Sequence, residues 1–202
     1  MSQDIKIKIS NLTKIFGPKP KSVLQYVDNG MSKDELLKEH QHVLGLSNIN
    51  LELRNKNIEV IMGLSGSGKS TLIRHINRLI DPTTGSITIG GDDIIGMSKE
   101  KLRQFRQQKT AMVFQSFALL PHKTVMDNVC YGIFLQGITG DEAYQRAKKW
   151  IDRVGLSGYE DRYPSQLSGG MQQRVGLARA LTCDTEILMM DEAFSALDPL
   201  IR

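Results

Sequence analysis

The segment from Gly63 to Thr71, GLSGSGKST, constrains this chain more than any other stretch. It satisfies the pattern G-x-x-x-x-G-K-[ST]. An apolar strand pattern, Ile58 to Met62, precedes it, and a helical stretch from Lys69 to Ile80 follows. That order predicts strand, glycine-rich turn and helix, so the fold must contain an α/β unit in which backbone N–H groups and a helix N-terminus converge on an anion. Gly63, Leu64, Ser65, Gly66, Ser67 and Gly68 give a backbone able to wrap phosphate oxygens, and Lys69 adds a mobile positive charge. Ser70 offers a hydroxyl to a Mg ion bridging β- and γ-phosphates, and Thr71 supports the phosphates from the next turn. A glycine turn that merely caps a helix is the alternative, and the strand and helix signals on either side weigh against it.

Two further segments carry chemistry. The apolar run Ile187 to Met190 reads as a strand buried on both faces, and it delivers Asp191 and Glu192 to its C-terminal end, where open α/β sheets place ligands. Asp191 would hold Mg and Glu192 would align the water attacking a γ-phosphate. Solvated acids at a strand end are the alternative, weakened by the phosphate-loop pattern. LSGGM, Leu167 to Met171, places Ser168, Gly169 and Gly170 before a helix as a second anion cradle. One nucleotide cannot occupy both cradles of one chain if a helical insert separates them. Two copies head to tail, each closing its serine cradle on the other's nucleotide, satisfy both under two-fold symmetry. Against this stands a simple N-cap role for Ser168.

Around these segments, Ile5, Ile7 and Ile9 alternate with Lys6 and Lys8 as an opening strand, and residues 17–46 read as an insertion. It holds Pro18, Pro20 and a charged helix from Lys33 to His40 with a weak apolar face at Leu36 and Leu37. Strand signals recur at Ile49–Leu53, at Ile87 and Ile89, and at Thr110–Phe114, with a helix from Ser98 to Gln107. From Leu120 to Pro164 the pattern is helical, the second helix opening with Thr139 and Glu142 at capping-box spacing and closing at Gly155. Another helix spans Met171 to Leu181.

Net charge is +4 over 202 residues and is scattered rather than striped, which argues against nucleic acid as a partner. Cys130 and Cys183 have no metal-ligand spacing and are expected as buried thiols, and no apolar stretch approaches membrane-spanning length. None of the four histidines, His40, His42, His75 and His122, lies in the phosphate loop, the LSGGM segment or the acidic strand end, and an exposed loop suits His122.

With Walker A at Gly63–Thr71, the signature at Leu167–Met171, Walker B at Ile187–Glu192 and a D-loop at Ser195, Ala196, Leu197 and Asp198, the chain resembles the ABC transporter ATPases over nearly its whole length. The resemblance implies an α/β fold: a P-loop NTPase (RecA-like) core with an antiparallel β subdomain and an inserted α-helical subdomain at 116–166, within one domain over 1–202. It also implies that Gln115 contacts Mg and the attacking water, and that Phe16 stacks on adenine. Glu192, Gln115 and Lys69 would then be catalytic, and Ser70, Gln115 and Asp191 the metal ligands.

The segments KSVLQYVDNGMSKDELLKEH and VFQSFALLPHKTVMDN resemble the ATP-binding subunits of glycine betaine and proline importers. The implied assembly is a homodimer sandwiching Mg-ATP on the cytoplasmic face of the membrane. It would be bound to permease subunits and served indirectly by a substrate-binding protein. The family's switch histidine would follow the D-loop by another strand, and the sequence reaches Arg202 before it. Two expectations therefore stay open: an ATPase coupled to osmolyte import, or an incomplete domain that binds nucleotide without turnover.

Overall fold

The computed structural model describes residues 4–193. The D-loop residues Ser195, Ala196, Leu197 and Asp198 lie outside them. The chain divides into two compact units, Met1–Lys99 and Glu100–Arg202.

In chain order the elements are β1 (Ile5–Phe16), α1 (Leu24–Asp28), α2 (Lys33–His40), β2 (Val43–Arg54), α3 (Lys69–Ile76), β3 (Thr84–Ile89), β4 (Asp92–Asp93), α4 (Lys99–Lys109), β5 (Thr110–Val113), α5 (Val125–Leu135), α6 (Gly140–Arg153), α7 (Gly169–Thr182) and β6 (Ile187–Met190). The first unit is built on an antiparallel sheet in the order β2-β1-β3-β4, the expected β subdomain. Its central strand β1 pairs Ile9 with Leu51 of β2 and with Ile87 of β3.

The opening strand runs past the predicted Ile9 because the alternation is broken, not ended. Asn11 takes φ 51 and the register shifts there, so the inward face passes from Ile7 and Ile9 to Leu12 and Ile15. Below the sheet, α2 is set by a complete capping box, Ser32 with Glu35. Its Leu36 is fully buried against Ile15 and Val23.

The expected strand Ile58–Met62 does not form. No described strand pairs with it, and Ile58 is 95% exposed and Met62 86%. β-Branched apolar side chains such as Ile58, Val60 and Ile61 favour an extended backbone, but hydrogen bonds to a neighbour make a strand. The helix after the loop is also shorter than expected, ending at Ile76 instead of Ile80. Arg78 turns to φ 51, and its guanidinium donates to the carbonyls of Ile94 and Met97 and to the Asp81 carboxylate, a set of partners that a continued helix would break.

In the second unit β5 and β6 pair in parallel, Thr110 with Ile187 through Val113 with Met190. β6 is not buried on both faces: Met189 is buried but Leu188 is 36% exposed, and the described sheet gives this strand one neighbour, β5. In the helical region Val129, Ile133, Ala147, Ile151 and Val175 are fully buried between α5, α6 and α7. The capping box at Thr139 is absent. Gly140 follows at φ 66, and the Thr139 hydroxyl makes no capping bond. Gly155 closes that helix in the left-handed region as expected.

Candidate functional site

In the first unit, the loop from Gly63 to Gly68 is exposed up to Ser67 and turns on two left-handed glycines, Gly66 at φ 76 and Gly68 at φ 97. The Ser67 N–H donates to the Leu64 carbonyl at 3.2 Å. Lys69, the first residue of α3, folds its ammonium back onto the carbonyls of Gly63 (2.8 Å) and Leu64 (3.0 Å). Ser70 and Thr71 occupy the first turn of α3, half-buried. The loop thus turns carbonyls toward the lysine, which a triphosphate would compete for.

Gly45, near the start of β2, links this loop to Phe16. A methyl group at Gly45 would lie 2.7 Å from the Phe16 ring, and one at Gly68 would lie 2.7 Å from the Gly45 carbonyl oxygen. The aromatic ring and the C-terminal end of the loop therefore rest on one glycine. Phe16 is 38% exposed, and Lys14 sits 5.0 Å from its ring centroid while donating to the Asp81 carbonyl at 2.8 Å. Gly45 was missed in the sequence, where a glycine in a strand signals close backbone approach but names no partner.

Beneath the loop, His75 of α3 is fully buried and directs Nδ1 to the Thr71 carbonyl at 2.7 Å. A carbonyl only accepts, so Nδ1 carries the proton. Burial holds the imidazole below its ordinary 6.5, reinforced by Lys14, against the raising effect of that bond and of Asp81.

The second unit brings Gln115 and Glu192 together. Both leave the C-terminal ends of parallel strands, β5 and β6, and Gln115 Nε2 donates to Glu192 Oε2 at 2.7 Å. Glu192 adopts φ 50, a left-handed turn that aims its carboxylate at the glutamine. Asp191 is 1% exposed, its N–H donating to the Val113 carbonyl at 3.0 Å. Because the Gln115 amide donates to Glu192, its carbonyl oxygen is left for a cation.

Arg179 of α7, unrecognised in the sequence, clamps the turn that follows Gln115. Its guanidinium donates to the carbonyls of Ala118 (2.8 Å) and Phe117 (2.9 Å), both residues having positive φ. Burial lowers the Arg179 pKa, but an arginine keeps its proton at any physiological pH. At the other end of α7, Ser168 is the N-cap, its hydroxyl accepting from the Met171 N–H at 3.3 Å. Gly169 beside it faces open space, and Gly170 is half-buried. The capping role and an exposed cradle thus coexist at this end of the helix.

The residues expected to hold magnesium, Ser70 in the first unit and Gln115 and Asp191 in the second, each carry an oxygen donor. Among the described residues no three His, Cys, Asp or Glu converge as a metal cage. Oxygen donors are the type that magnesium takes alongside water and phosphate oxygens. Neither thiol belongs to a site. Cys130 is buried and its pKa pushed up to about 11 by burial and by Asp127, and Cys183 is raised by burial. His122 is exposed. Among the described residues no helix is long and apolar enough to cross a membrane.

Residues 46–195 match the family described as ABC transporter. The chain is 56% identical, over 98% of its own length and 47% of the relative's, to the glycine betaine transport ATP-binding protein OpuAA of Bacillus subtilis (strain 168). It is 52% identical, over 98% of itself and 50% of the relative, to the glycine betaine/proline betaine transport system ATP-binding protein ProV of Escherichia coli (strain K12). The chain spans about half the length of the curated relatives it matches. Among solved structures, the dimeric bacterial ABC transporter cassette MJ0796 superposes with TM-score 0.80 at 32% identity, covering 95% of this chain and 76% of that one. The post-hydrolysis dimer of the same cassette, bound to ADP and Pi, gives TM-score 0.81 at 31% identity, covering 96% and 77%.

Proposed function

Since this chain belongs to the ABC transporter family, we propose that it is the ATP-binding, ATP-hydrolysing part of an importer for glycine betaine, proline or related quaternary amines. The observation that carries the reading is the loop Gly63–Gly68, left-handed at Gly66 and Gly68, opening α3 beside Lys69. A triphosphate draws Lys69 off the Gly63 and Leu64 carbonyls and takes its ammonium, while loop N–H groups and the start of α3 neutralise the remaining oxygens. Phe16 stacks on adenine from its seat on Gly45.

Magnesium, when bound, neutralises charge on the β- and γ-phosphates, and Ser70, Gln115 and Asp191 are the residues that would hold it. Glu192 orients the attacking water and draws on its proton, and Gln115 holds the Glu192 carboxylate for that task. The water oxygen bonds to the γ-phosphorus as the bond to the bridging oxygen breaks, releasing ADP and phosphate. A second copy supplies Ser168, Gly169 and Gly170 across a nucleotide sandwich. The dimeric cassette at TM-score 0.80 supports that pairing. Permease subunits carry the assembly at the cytoplasmic face of the membrane, and a substrate-binding protein delivers the osmolyte to them. Choice of osmolyte lies with those partners.

Substituting Glu192→Gln tests the roles. Phosphate release is expected to fall roughly 10²- to 10³-fold with ATP binding retained. An unchanged rate contradicts the assignment. Uptake of labelled glycine betaine by cells supplying the permease, with and without this chain, tests the transport reading.

A further inference from the structure

From the position of a lysine in the insertion, and resting on the nucleotide-binding reading above, we propose that Lys33 is a positioning residue of the phosphate loop. Its ammonium lies 3.4 Å from the Gly66 carbonyl oxygen. The 66–67 peptide is trans, like every described peptide, so the Ser67 N–H points opposite to the Gly66 carbonyl. Holding that carbonyl from outside keeps the Ser67 N–H turned into the loop, where it now reaches the Leu64 carbonyl and where a phosphate oxygen would sit.

The two ammonium groups differ in what a nucleotide asks of them. Lys69 occupies the Gly63 and Leu64 carbonyls and must exchange them for phosphate, whereas Lys33 grips the back of the cradle and can stay. A lysine at the first position of α2 runs against the helix dipole, which favours anions there, and Asp34 and Glu35 beside it follow the rule. The nearest carboxylate that favours a helix start, Glu35, is taken by the Ser32 N–H at 2.8 Å. Lys33 therefore gains its partner outside the helix. The helix is anchored to the sheet, since Leu36, one turn on, is fully buried against Ile15 beside Phe16. The insertion thus does more than lengthen the connection between β1 and β2. It brings a cation to the loop.

Calorimetric titration with Mg-ATP tests this on the whole chain and on Lys33→Ala, Lys33→Arg and Lys38→Ala, the last being exposed elsewhere on α2. Lys33→Ala should weaken ATP binding about three- to fivefold, as loss of one exposed charged contact does. Lys33→Arg should restore most of that affinity, and Lys38→Ala should match the parent. The Ser67 amide resonance of the nucleotide-free protein should shift in Lys33→Ala and return in Lys33→Arg. An unchanged Kd in Lys33→Ala overturns the proposal, as does equal weakening in Lys38→Ala. A loss that arginine does not restore, or one accompanied by a drop in Tm of more than about 3 °C, assigns the effect to folding and also overturns it. No ATP heat in the parent chain would instead sink the nucleotide-binding reading itself.

Discussion

Ile58–Met62 and Ile187–Met190 are two short apolar runs, each delivering chemical groups at its C-terminal end, yet the structure treats them differently. Ile187–Met190 forms β6, in register with β5, and its continuation is fixed by the Asp191 N–H on the Val113 carbonyl. Ile58–Met62 pairs with no described strand and leaves Ile58, Val60 and Met62 exposed. Asp191 and Glu192 owe their placement to a sheet. The phosphate loop is held from elsewhere: by Gly45 against Gly68, by Lys33 on Gly66, and by Lys69 on Gly63 and Leu64. A motif can keep its shape when the strand that leads into it does not.

Truncating the two runs should separate them most. Met189→Ala, at a buried position, should cost about 2–5 kcal/mol, and Ile58→Ala about 0.5 kcal/mol or less, read by urea unfolding. Equal losses would break the comparison. Gly68→Ala attacks the loop's own support, combining a left-handed φ with a methyl group set against the Gly45 carbonyl. A cost of about 1–3 kcal/mol is expected, together with weakened ATP binding.

On the sheet side, Arg179→Ala leaves the carbonyls of Phe117 and Ala118 without their donor. It should cost about 1–3 kcal/mol and slow phosphate release by loosening the turn after Gln115. Arg179→Lys, which cannot span both carbonyls with a planar fork, should recover stability only in part.

The smallest effect is expected from pH. His75 has its pKa lowered in the folded state, so below the ordinary 6.5 the unfolded chain binds a proton that the folded chain does not. Its contribution to stability is present above pH 6.5 and is lost as pH falls toward the lowered value. His75→Gln should flatten the dependence of Tm on pH between about 7.5 and 5.5. An unchanged slope would remove the histidine from the account.

These tests bear on what could be read from residues alone. The loop, the helix Lys33–His40, the helices of the second unit and the strand carrying Asp191 were legible because each is local: glycines at fixed spacing or an apolar face. The pairing of Gln115 with Glu192 was not, although both were singled out, because a contact across 77 positions leaves no mark on either neighbourhood. Lys33, Gly45 and Arg179 were illegible for a related reason. A charge on a helix and a glycine in a strand have ordinary explanations until their partners are seen. The failed strand at Ile58–Met62 shows the reverse case, a strong local signal that tertiary pairing did not take up.

ATP binding by this chain depends most on the loop gripping a triphosphate through main-chain N–H groups and Lys69. Titrating the chain and its Lys69→Ala variant with Mg-ATP in a calorimeter tests that directly. Saturable heat is predicted for the parent, with affinity at least about 10-fold weaker in the variant. No heat from the parent, or equal affinity in both, would contradict it.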